Sequence, residues 1–101
     1  MFKLTPPATF PATVKIPNGD EPLPLTLVFR RKSKAELVAW IESTATRPDP
    51  DSLGEIVADW KNVDAPFSPE TLSELLAAYS GAGLAIFSGY LKALSEAERK
   101  N

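Results

Sequence analysis

The residues best placed to do chemistry are acidic. Asp49, Asp51, Glu55 and Asp59 fall within one short stretch. Carboxylates gathered this way can ligate a hard cation or act as a general acid and base pair. Their spacing lacks the ligand order of a calcium loop, however, and the first of them stand where acids oppose the positive end of a starting helix. Serine and lysine offer nucleophiles, yet no nucleophile elbow, phosphate-cradling loop or activated dyad surrounds any of them. The 101 residues contain no cysteine and no histidine. That removes disulfides, thiolate nucleophiles, imidazole bases and nearly all zinc sites together. The expectation is a protein that is not an enzyme, with no catalytic residues, no metal, no cofactor and no small-molecule substrate.

Charge narrows the partners further. Eleven basic against thirteen acidic residues leave a net charge of −2, which gives no overall field for a phosphate backbone. The cluster Arg30, Arg31, Lys32 and Lys34 reads as a solvated strand end that resists aggregation, and nucleic acid is not expected as a partner. Hydrophobic content of 44% and charged content of 24% are ordinary for a globular domain, and a single domain over 1–101 is expected. No apolar run approaches the roughly 20 residues that cross a bilayer, and the start lacks a signal-peptide core. No membrane association and an intracellular location are expected.

The elements follow from periodicity and caps. Phe10, Ala12, Val14 and Ile16 alternate with polar residues or Pro11, the period-two pattern of a strand with one buried face, and Pro11 suits an edge. After the loop PNGDEP, Leu23, Leu25, Leu27 and Phe29 alternate again, which predicts a hairpin within residues 1–32. Residues 33–101 read as helical. Ser33 with Glu36 forms a capping box before Leu37, Val38, Trp40 and Ile41. Asp49–Pro50 and Ser68–Pro69 repeat the start signal. The first of these opens a helix carrying Leu53, Ile56, Val57 and Trp60 at spacings of three, four and seven, and the second a helix burying Leu72, Leu75, Leu76 and Tyr79 before Gly81. A fourth helix is predicted from about Ala82 toward Arg99. The fold class expected is α+β: an N-terminal β-hairpin followed by a bundle of about four short α-helices.

The fourth helix carries the main anomaly. Its first half, AGLAIFSGYL, has almost no polar side and needs cover all round, from its own domain or from another protein. Trp60, Phe67, Phe87, Tyr90 and Leu91 are the candidate partner-binding residues, with Asp59, Asp64 and Glu70 near the first two. Each also has a reading as core packing, which the apolar stripes favour for Trp60 and Phe87. Gly89 in mid-helix costs about 1 kcal/mol against alanine, and close approach of another helix would compensate.

The opening FKLTPPATFPATVKIP, the segment DWKNVDAPFS at Asp59 to Ser68, the helical YLKAL at Tyr90 to Leu94 and the terminal RKN together resemble the tail assembly chaperones of long-tailed bacteriophages and prophages. Pro66 and the Gly81 to Gly83 region depart from that pattern, where relatives often carry an acidic residue and a proline. The resemblance implies a small non-enzymatic protein of the host cytoplasm that binds the tape measure protein, helps recruit tail tube subunits, and is absent from the finished virion. A structural component of the neck or tail tube is the alternative. Oligomeric state is left open, and the family supplies no defined set of ligand residues.

Overall fold

The computed structural model describes residues 4–99; Phe2, Lys3, Lys100 and Asn101, which belong to the motifs above, lie outside the described residues. Strands β1 (Thr9–Ile16) and β2 (Leu23–Arg30) pair antiparallel from Thr9 opposite Arg30 to Ile16 opposite Leu23, the hairpin that the alternation predicts. Gly19 takes a φ of 61° in the turn, a left-handed conformation that glycine adopts without a Cβ clash. Four helices follow: α1 (Lys34–Ser43), α2 (Asp49–Gly54), α3 (Pro69–Ala78) and α4 (Ala82–Arg99). The class is α+β, as expected.

One element differs from its sequence reading. The helix that opens at Asp49 ends at Gly54, and Val57–Trp60 forms a third strand, β3, antiparallel to β2, giving the order β1-β2-β3. The register slips by one residue between Val28 and Phe29: Asp59 lies opposite Val28 but Val57 opposite Phe29, leaving Ala58 as the extra residue of a bulge. A regular strand would put Val57 and Trp60 on opposite faces. The bulge restores both to the inner face, where both are buried, so a three-residue spacing that looks helical serves a strand.

The ladder continues past β3 through a side chain. Beyond the Lys61 N–H bond to the Thr26 carbonyl (3.0 Å), the Asn62 Oδ1 accepts the Thr26 N–H at 2.9 Å and its Nδ2 donates to the Pro24 carbonyl at 2.9 Å. The Asn62 carboxamide thus stands in for one more strand residue. At the outer edge of β3 the Trp60 N–H is taken by the Asp59 Oδ1 at 2.8 Å. On β1, the Arg31 N–H bond to the Ala8 carbonyl fixes the alternation of hydrogen-bonded pairs, so Pro11 faces Val28 at a non-bonded position with its nitrogen on the free edge.

The inner face of the sheet (Val14, Ile16, Leu25, Leu27, Phe29, Val57 and Trp60) forms one core cluster with Trp40, Leu53, Ile56, Leu72, Ala82, Ile86, Tyr90 and Leu94. Helix α4 crosses β1 where Gly89 meets Val14; a Cβ on Gly89 would stand 2.7 Å from Val14 Cγ2. The compensation for a mid-helix glycine is therefore close approach to a strand, not to a second helix. Gly81 brings the start of α4 close as well, since a Cβ there would meet Pro17 Cγ at 3.0 Å; a Cβ on Gly83 would only have to displace the tip of the exposed Asp49 carboxylate.

Arg30 joins three elements. Its N–H bonds the Ile56 carbonyl at 2.7 Å, its guanidinium donates to the Gly54 and Val57 carbonyls at 3.0 and 2.8 Å, and its own carbonyl accepts the Tyr90 hydroxyl at 2.8 Å. Arg31 lies over the Phe10 ring at 5.3 Å from its centroid and donates to the Pro7 carbonyl at 3.2 Å. Half of the basic cluster is thus committed to holding the chain together.

Candidate functional site

The five candidate partner-binding residues divide between two places. Trp60 and Phe67 meet edge to face with centroids 5.1 Å apart, and the indole N–H donates to the Ala65 carbonyl at 2.8 Å. Trp60 is only 6% exposed; Phe67 is half-buried. The Ser68 capping box starts α3 directly after Phe67: the Thr71 N–H bonds Ser68 Oγ, and Thr71 Oγ1 accepts the Ser68 N–H at 2.8 Å. Beside this pair an open groove of about 440 Å³ runs between the start of β2 and α3, lined by Leu23, Leu25, Trp60, Val63, Leu75 and Tyr79 among others. Asp64 and Glu74 stand on its sides.

Phe87, Tyr90 and Leu91 belong to α4. Tyr90 is wholly buried, 5.0 Å from the Phe29 ring centroid and 5.5 Å from that of Trp40, so it shapes the surface only from beneath. Phe87 and Leu91 are half-buried, packed at the core margin on the flank of the helix that runs out to Leu84, which is 73% exposed. Residues three, four and seven apart share a helical face, so Leu84, Phe87 and Leu91 make one stripe. Phe87 also stacks on Trp40 of α1 with centroids 5.3 Å apart, which brings the stripe up against that helix. There Val38 and Ile41 turn outward at 50% and 37% exposure. Sequence reasoning centred on the aromatics and left Leu84, Val38 and Ile41 out; the signal for α1 was an apolar set too wide for one buried stripe.

Helix α1 is held by little. Trp40 is its one buried residue, tied by its indole N–H to the Ser52 carbonyl at 2.8 Å, while Leu37 packs on the core margin. Its start is capped on both sides, Ser33 Oγ accepting the Glu36 N–H at 3.3 Å and Glu36 Oε1 accepting the Ser33 N–H at 2.8 Å. The Ser33 backbone N–H holds the Glu36 carboxyl below the usual carboxylate range. Arg47 after the helix bonds Glu55 at 2.7 Å and Ser43 Oγ at 2.7 Å, drawing the Glu55 carboxyl down as well. Both shifts belong to groups that shape the chain ends around α1.

The chemistry on offer is that of contact. Among the described residues no three acidic side chains gather closely enough to hold a metal ion, and no helix is long and apolar enough to cross a membrane. What the surface presents is apolar side chains on α4 and α1, and an apolar groove with carboxylates at its sides. The family model for phage tail assembly chaperones matches residues 1–101, and the chain belongs to that family. The family is non-enzymatic in general, and its members act through other proteins while a tail is being assembled. No curated protein and no solved structure gives a significant match.

Proposed function

We propose that this chaperone acts without catalysis by binding the tape measure protein through the outer face of α4 and the neighbouring face of α1, and that it helps recruit tail tube subunits before leaving the assembling tail. It would do so in the host cytoplasm and be absent from the finished virion. The observation that carries this reading is Leu84, 73% exposed on a helix whose other face is the centre of the core. An extended, helical client exposes apolar faces until the tube closes around it, and such faces self-associate unless covered. A stripe of Leu84, Phe87 and Leu91, widened by Val38 and Ile41, offers complementary cover with no chemistry and with edges wet enough for later displacement. Phe67 adds a second half-buried aromatic contact near the groove; Trp60 and Tyr90 support from below.

Co-expression with the tape measure protein tests the reading. Wild-type chaperone should keep that protein soluble and co-purify with it, whereas Leu84→Asp, at an exposed position, should fold normally and lose the complex. If Leu84→Asp retains the client as well as wild type, α4 is not the binding face. If no complex forms and the chain is found in purified virions, it is a structural component of the tail.

A further inference from the structure

The groove beside Trp60 differs in chemistry from the face of α4, and no α4 residue lines it. Its lining is mainly apolar, with Ile16, Leu23, Pro24, Leu25, Val63 and Leu75, interrupted by Asn62 and Thr71. The two carboxylate side chains that line it, Asp64 in the loop after β3 and Glu74 on α3, are both exposed. Asp20 and Glu21 lie in the turn that leads into Leu23, and against them Lys15, opposite Pro24 in the strand register, is the one basic residue of β1 near that end. The basic cluster stands at the other end of β2; seven residue steps at about 3.3 Å each separate Leu23 from Arg30. Lys61 is outside the groove lining, in a neighbouring depression that shares Asp64 with it, so Glu74 is the carboxylate farther from that cation in the chain.

The groove is also preformed. Asn62 is pinned at both ends of its carboxamide to Thr26 and Pro24, Trp60 is pinned to Ala65, and the Ser68–Thr71 box fixes the start of α3. Its volume of about 440 Å³ suits a few large side chains, and it opens to solvent as a track for a chain does. We infer that this groove is a second docking site, for a protein segment carrying large apolar residues flanked by lysine or arginine, the apolar side chains entering between β2 and α3 and the cations pairing with Asp64 and Glu74. Complementary charge sets orientation and encounter rate, and the buried apolar residue supplies the grip. The site goes beyond the tape measure reading: it allows the chaperone to hold one partner on α4 and another in a groove that no α4 residue lines.

Fluorescence anisotropy with three short labelled peptides tests this, one alternating leucine with lysine, one leucine with glutamate, and one serine with lysine. Only the leucine–lysine peptide should bind the full chain, and its affinity should fall as ionic strength rises from about 0.05 to about 0.5 M. Asp64→Lys combined with Glu74→Lys should weaken it by about tenfold or more. The milder pair Asp64→Asn with Glu74→Gln should weaken it less, and serves if the reversal disturbs folding. Leu84→Asp should leave this binding unchanged, which separates it from the fate of the α4 reading. Equal binding of the serine–lysine peptide, loss of binding in Leu84→Asp, or wild-type affinity in both charge variants would overturn the proposal. So would concentration-dependent self-association, seen by sedimentation, that the charge variants abolish, since the groove would then hold a second copy of this chain.

Discussion

Helix α4 and helix α1 flank the same aromatic cluster, yet they are built in different ways. Helix α4 is fitted against the sheet at Gly89, where a side chain would clash with the buried Val14, and Gly81 keeps its start close to Pro17. Helix α1 has no such fit and hangs on a single buried tryptophan, its cap and the Arg47–Glu55 pair. The difference teaches where stability and adaptability are placed. A surface helix fitted into the fold by backbone approach has one position, whereas one hung from an indole can shift without unfolding what lies beneath.

The comparison breaks first if the core is not the common support of both. Phe29→Ala removes a buried ring that touches Phe10 and Tyr90, and should cost about 4 kcal/mol in urea unfolding, loosening everything together. Trp40→Ala should cost less, about 3 kcal/mol at most, because the loss cannot exceed what α1 gains by docking. Its amide exchange should become fast over α1 while the sheet and α4 keep their protection; uniform loss of protection would make α1 part of the same cooperative unit. Gly89→Ala sets about 1 kcal/mol of helix propensity against an overpacking cost of about 1–3 kcal/mol at Val14, for a net destabilisation of about 1 kcal/mol. A gain in stability would show that α4 does not press on β1 as described. Ser33→Ala should cost about 1 kcal/mol, confined by hydrogen exchange to α1.

Acid should act on the same side of the comparison. The Glu36 and Glu55 carboxyls are drawn below their reference value of 4.5, so the unfolded chain takes up protons first as pH falls. Their contribution is present above about pH 4.5 and is lost as pH drops through the lower folded-state values. Exchange protection in α1 should therefore fade on acidification before that of α4; the reverse order would count against the loose tether.

Most of the fold is legible from local rules. The alternation of Val14 and Ile16 with polar neighbours, the two serine caps and the proline starts all place elements that the structure contains, because each is decided within a few residues. Val57–Trp60 is not legible in this way. A bulge opposite Val28 and Phe29 depends on pairing with a strand almost thirty residues earlier, and it makes two inward side chains three apart look like a helical face. Gly54 is the local signal that favours a break before them. Among the candidate binding residues, Tyr90 shows the same limit: a helix apolar on every side announces that cover is needed, but only the packing of Phe29, Trp40 and the Arg30 carbonyl decides which residues receive it. Leu84 is what remained over.

Each margin of the sheet has a donor taken out of play, on β1 by the missing N–H of Pro11 and on β3 by the Asp59 carboxylate on the Trp60 amide. An interrupted row of donors is a poorer template for the backbone zipper through which amyloid-like stacks grow. Contacts made by the side chains of α4, as proposed above, do not depend on that ladder and can be let go.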